Sequence, residues 1–297
     1  MDKIVIPLYR SGQYKMLTLL LIMLPVAGFS QEKEIFHVSW RFVPAKTDTI
    51  GKAHYVDAHL AFPVFKDSID KVAGTVAYRS TYLDAFAPLY GVLVSLAWLH
   101  KLNDKHSIIL FAHSGIFSDM KDISGEDLRG TIGIRYVSRY SEKFSSGFGL
   151  AYSKQFFGKQ ITPIIEMNYR FSDKLQFYGL LPLRERLEYT ISRKSKTGIG
   201  VNADVASYRL SASEDASRYM RIAQWAGVLF YQYNFCGNWN ISASVNGAIK
   251  QRFEVFDKAS SSNWTLFTKT LGSKPTPVYR ADQHGLQLQL SVGYTIQ

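Results

Sequence analysis

The chain has 297 residues, 46% of them hydrophobic and 14% aromatic, with a formal net charge of +11. That length suits one large β domain or two small ones, and so apolar a composition excludes a disordered chain. A single cysteine, Cys236, excludes an internal disulfide framework, and a basic excess without a Lys/Arg-rich run argues against a nucleic-acid partner.

The first thirty residues read as an export signal. Lys3, Arg10 and Lys15 lead into the apolar run Met16–Val26, and Gly28 and Ser30 stand at −3 and −1 of a cleavage site after Ser30. The run has 11 residues, whereas a membrane-spanning helix needs about 20. The basic lead is long, so Met16 is an alternative start. Removing residues 1–30, which hold those three basic residues against Asp2, lowers the net charge from +11 to +9. Anionic lipid headgroups or anionic solutes are the expected partners of that surplus.

The rest of the chain alternates with a period of two, the mark of strands, whose successive side chains leave on opposite faces. Phe36, Val38, Trp40 and Phe42 alternate with His37, Ser39 and Arg41. Tyr90, Val92, Val94, Leu96 and Trp98 repeat the pattern, as do Ile132 and Ile134 against Arg135 and Arg139. Phe148, Leu150 and Tyr152 oppose Gly147, Gly149 and Ala151, and Ile165, Met167 and Tyr169 oppose Glu166, Asn168 and Arg170. The longest run sets Trp239, Ile241, Val245, Ile249, Phe253 and Val255 against Asn240, Ser244, Lys250, Arg252 and Glu254. Fourteen strands are predicted, at 34–42, 53–63, 72–82, 89–100, 106–117, 129–140, 144–155, 161–171, 175–181, 187–192, 197–210, 220–235, 239–255 and 284–297, with twelve as the alternative because the second, ninth and tenth are weak. The motifs LNDKH, YSEKF and FSDKL share one hairpin form, in which Asn or Ser caps the turn backbone. Longer links fall at 118–127, 211–218 and 257–283.

These features predict an all-β fold: a transmembrane, antiparallel, up-and-down β-barrel of 12–14 strands over residues 31–297. Alternation has no intrinsic sign, and a soluble exported β protein is the other reading. Three features favour the membrane. The apolar faces carry very large side chains, the opposite faces mix small residues with full charges, and aromatics gather beside the short turns. The expected membrane-interface belt is Tyr140, Phe144, Tyr169, Phe171, Tyr233, Phe235, Trp239 and Tyr294. The expected lumen lining is Arg135, Arg139, Glu166, Arg170, Asp204, Lys250, Arg252 and Glu254, either as a paired network plugging the barrel or as the wall of a weakly anion-favouring pore. The link 257–283 is the candidate constriction.

The last strand, LQLQLSVGYTIQ, resembles the closing strand of bacterial outer-membrane β-barrels, which the barrel-assembly machinery reads. It has the alternation and Tyr294, but ends in Gln297 rather than Phe. Within 181–210, Leu181-Pro182, Arg186, Tyr189, Ile191 and Ser207-Tyr208-Arg209 resemble barrel families that carry only a domain-of-unknown-function label. The resemblance implies a fold, a location in the outer membrane, and outer-membrane lipids and the assembly machinery (through 286–297) as partners; it brings no catalytic residues.

No motif for catalysis or nucleotide binding occurs, and neither cofactor nor metal is expected. His54 with His59, and His106 with His113, fall on opposite strand faces, while His100 and His106 flank one turn. His113 and Ser114 are adjacent, so they point apart and cannot form a nucleophile–base pair. The expected role is a passive small-solute conduit. The alternatives are a closed structural or surface-interaction barrel and, third, an outer-membrane lipid-modifying enzyme.

Overall fold

The computed structural model describes residues 33–44, 51–210, 218–257, 263–273 and 275–296. The proposed signal segment at 1–30 lies outside the described residues, as does Gln297. Thirteen consecutive strands lead round a barrel: β1 (Lys33–Val43), β2 (Ala53–Lys66), β3 (Asp70–Leu83), β4 (Phe86–Lys101), β5 (His106–Ser118), β6 (Leu128–Arg139), β7 (Phe144–Gln155), β8 (Gly158–Arg170), β9 (Leu175–Leu181), β10 (Arg184–Thr190), β11 (Ser195–Arg209), β12 (Tyr219–Cys236) and β13 (Trp239–Phe256). Three short strands follow, β14 (Trp264–Leu266), β15 (Lys269–Leu271) and β16 (Tyr279–Asp282), and then β17 (Gly285–Ile296).

Each barrel strand pairs antiparallel with the next, and β13 pairs with β17. The β17 strand returns to β1, from Lys33↔Ile296 through Phe42↔Leu288. Among the described residues the barrel therefore has fourteen strands and is closed. Closure pairs the strand edges along most of their length, the condition for a sheet to stand in lipid.

The side chains divide as a membrane barrel requires. Val94, Leu96, Ile132, Phe148, Ile165, Leu229, Leu286, Leu288 and Leu290 all stand exposed on the outer face. Between them most inward residues are small, polar or charged, with Leu93, Ile164, Val228 and Phe230 as apolar exceptions. This inversion of a soluble protein's pattern identifies the outer face as the lipid-facing one.

The start of β1, the end of β17 and one set of turns lie at the same rim. Asp67, Asn103, Ser141, Ser172 and Ser192 each accept backbone N–H bonds from residues two or three further on. Those bonds fix the tight turns between β2 and β3, β4 and β5, β6 and β7, β8 and β9, and β10 and β11. The opposite rim mixes long links with two-residue turns at 84–85, 156–157 and 182–183.

Two departures from a uniform cylinder shape the interior. The β9–β10 hairpin is short, with 7 residues per strand. Strand β8 meets β9 only from Ile165 to Arg170, and β11 meets β10 only up to Asn202. Above that hairpin the wall has a notch. The β14–β15 hairpin fills part of it, pairing parallel with Lys159–Ile161 of β8. The tip of β11, freed from β10, leans across the mouth until Arg209 pairs with Ser118 of β5.

Candidate functional site

The lumen at mid-height is crossed by ion pairs. Arg79 of β3 donates to Asp57 on its neighbour at 2.7 Å and to Asp204 on the far wall at 2.5 Å. Arg135 of β6 reaches over β7 to Glu166 of β8 at 2.7 Å. It can do so because Gly149 and Gly147 stand opposite the two residues on the intervening strand. A Cβ on Gly149 would come within 2.6 Å of the Arg135 Cγ. Glu188 accepts bonds from Gln176 and Tyr178 and pairs with Lys196 at 3.3 Å. Near the short-turn rim, Glu34 pairs with His37 at 2.9 Å, and His37 stacks on His59.

The structure places Arg135, Glu166 and Asp204 in this lumen, with Arg139 and Arg170 on the same face near the short-turn rim. Lys250, Arg252 and Glu254 are on the other face. Trp225 pairs with Lys250 while Ala226 pairs with Ala248, so Ile249 is an extra, bulged residue. A one-residue insertion reverses the facing of all that follows. Gln251 then points inward, donating to the Tyr55 hydroxyl at 2.6 Å, and Arg252 points outward to Asp282 of β16, also at 2.6 Å. Burial pushes the Asp282 carboxyl up, but hydrogen bonds from Arg252 and Arg280 outweigh it and hold its pKa below the ordinary value.

At the long-loop end the inward faces turn apolar. Val43, Tyr55, Leu83, Leu89 and Phe117 meet Tyr208, Met220, Ile222, Phe253 and Val255 in one buried cluster. Strands from opposite walls thus seal the mouth with an apolar plug, into which the leaning tip of β11 carries Tyr208, edge-on to Phe117. Arg209 anchors that tip. It donates to Asp127 at 2.5 Å and to the Asp122 carbonyl at 2.6 Å. The described residues of the link 257–283 do not cross the lumen as the sequence reading expects. They bind the free edge of β8 and the end of β13, because those edges offer unpaired backbone groups. Phe267, at the tip between β14 and β15, does reach the interior.

Beside the plug, between β5–β8 and β11, lies a cavity of about 350 Å³. His113, Thr131, Arg135, Ser153, Gln155 and Gln160 give it polar walls, and Ile164, Leu180, Leu183 and Phe267 close the side facing the notch.

Tyr140, Phe144, Tyr169 and Phe171 form a chain of ring contacts at the short-turn rim. Trp239 contacts Tyr294 and Phe36 there, and Tyr233 and Phe235 are exposed nearby. His100 and His106 do not meet: His100 bonds Asp70, while His106 contacts Tyr136 and Ser138. Among the described residues no three His, Cys, Asp or Glu side chains gather as a metal site. Sequence reasoning missed Asp57, Arg79 and Arg129; the period-two pattern around Tyr78 and Tyr82, both exposed outward, was the signal that Arg79 faces in.

A family model described as "Domain of unknown function (DUF6268)" matches residues 85–269, more than half of the chain. Among solved structures, the chain is similar to the NanC porin at 7% identity and TM-score 0.39, with 88% of this chain and 100% of that one covered. It is similar to the KdgM porin, solved with disordered oligogalacturonate, at 9% identity and TM-score 0.36, covering 88% and 99%. A TodX monoaromatic hydrocarbon channel mutant aligns at 7% identity and TM-score 0.41, covering 90% and 91%. No curated protein matches the sequence.

Proposed function

From the premise that the chain belongs to the DUF6268 family, a domain of unknown function, we propose that it is an outer-membrane conduit for small solutes, shut at its long-loop end in the conformation described. One observation carries the reading: the interior is not packed solid but leaves a polar-walled cavity of about 350 Å³ beside charged pairs. A barrel serving only as a scaffold has no need of unfilled, charge-lined space. The apolar outer face and the segment at 1–30 support export to the outer membrane, and the rings at the short-turn rim suit its lipid–water boundary. The charges act on solutes by attraction and exclusion, and no catalytic step is assigned to them.

Planar-bilayer recording tests this. Stepwise currents are expected, and Arg135→Ala should shift ion selectivity towards cations. Arg252→Ala, on the outer side of the wall, serves as the comparison that leaves selectivity alone. Absence of steps, both in the parent and after the plug is loosened by Phe253→Ala, would overturn the reading. The apolar plug favours a second one, a closed barrel acting through its long loops, which that outcome would support.

A further inference from the structure

The notch opens through the barrel wall, and the two hairpin tips that flank it are differently built. The β9–β10 tip is tied to β11, with the Ala203 N–H donating to the Leu183 carbonyl at 2.8 Å. The β14–β15 tip is tied to β8, with the Phe267 N–H donating to the Ile161 carbonyl at 2.7 Å and the Gln160 side chain donating to the Phe267 carbonyl at 2.7 Å. Phe267 holds φ 51°, a left-handed conformation that an aromatic residue adopts only where its surroundings impose it. Between the tips, residues 162–164 of β8 have neither hairpin beside them. Leu183 and Phe267, one from each tip, line the cavity on that side.

Chemistry grades across the cavity. Its notch side is apolar; its inner side carries Arg135, Asp204 and Gln155, and Gln155 accepts a bond at 2.7 Å from Arg129, which stands behind the lining. Arg129 is buried, 8% exposed, and its Nε has no hydrogen-bond partner. Its guanidinium lies over the Phe117 ring at 3.3 Å from the centroid and has no carboxylate within ion-pair reach among the described residues. A buried cation with an unpaired donor calls for an anion. The cavity's size falls within the range of about 300–1,000 Å³ usual for small-ligand sites.

We propose that this cavity binds a single-chain amphiphile with an anionic headgroup, which enters from the bilayer between the tips at Leu183 and Phe267, with its head towards Arg129 and its tail towards Phe267. This goes beyond conduction along the barrel axis and does not depend on it.

The test uses the full barrel in phosphatidylcholine vesicles, with folding checked by heat-modifiable migration, and brominated dodecanoate as the probe. Trp225 lies edge-on to Phe267 at 5.4 Å and reports the tail. Saturable quenching is expected in the parent and should disappear in Trp225→Phe. Arg129→Gln should weaken apparent affinity for the acid at least tenfold and leave that for brominated dodecanol unchanged. Filling the cavity by Ala151→Phe should abolish the saturable part for both. Quenching that rises linearly with probe in every variant means partition into lipid alone and overturns the proposal. Equal weakening of acid and alcohol by Arg129→Gln overturns it too. Because the readout is binding, a barrel that passes no current can still satisfy it.

Discussion

Arg79 and Asp204 stand on opposite walls of the barrel, 125 residues apart in sequence, and meet across the lumen at 2.5 Å. Neither is deeply buried: their side chains are 35% and 54% exposed. A pair so open to water contributes about 1 kcal/mol or less to stability. Its effect is on what can pass. Arg79→Ala leaves Asp57 and Asp204 uncompensated, and Asp204→Asn frees part of the Arg79 charge. Reversal potentials in a KCl gradient should therefore move towards cation preference in the first and towards anion preference in the second, with unfolding midpoints nearly unchanged. Shifts of the same sign in both would refute a lumenal role for the pair.

The plug is where stability resides. Phe253 is fully buried among residues from several strands, so Phe253→Ala is expected to cost about 3–5 kcal/mol. Guanidinium unfolding in detergent measures this. The same variant should raise conductance, since the cavity it leaves lies in the seal. Destabilisation without a conductance change would place the barrier elsewhere.

Gly149 sets up a sharper comparison. A Cβ there would run into the Ile134 carbonyl and the Arg135 side chain, whereas one on Gly247 meets nothing within 4 Å. Gly149→Val should cost about 1–3 kcal/mol and break the Arg135–Glu166 pair, with Gly247→Ala within about 0.5 kcal/mol of the parent. Equal effects at the two sites would mean that strand flexibility, not the passage of Arg135 over β7, explains the glycine.

Much of this architecture was legible in the sequence. All fourteen barrel strands lie where alternation places them, because a strand with one apolar and one polar face displays its period directly. Boundaries slipped where charge hid that period. Strand β10 begins at Arg184, three residues before the predicted start, inside the run Arg184-Glu185-Arg186. The Ile249 bulge was not legible at all, since period-two reading continues through an inserted residue and assigns Arg252 and Glu254 to the wrong face. The plug was hidden for a related reason. Phe253 and Val255 continue the apolar, lipid-facing set of β13 until the Ile249 insertion turns them inward, where they join Tyr208 in the buried cluster. The parallel contact of β14 with β8 joins residues about a hundred positions apart and leaves no local mark.

Asp282 makes the outward turn of Arg252 testable by pH. It receives Arg252 at 2.6 Å and Arg280 at 3.0 Å, and those bonds hold its carboxyl below the ordinary value against the opposing effect of burial. A carboxyl lowered on folding stabilises the folded form above its unfolded pKa, about 3.9 for aspartate, and that contribution is lost as pH falls through the lowered folded value. The β16–β13 ladder, from Arg252↔Asp282 to Val255↔Tyr279, should therefore loosen in acid while the barrel stays closed. Protection of the amides at 279–282, taken relative to intrinsic exchange, is expected to fall below about pH 3.9, and to be low and insensitive to acid in Asp282→Asn. If Arg252 faced the lumen, Asp282→Asn would leave exchange at 279–282 unchanged.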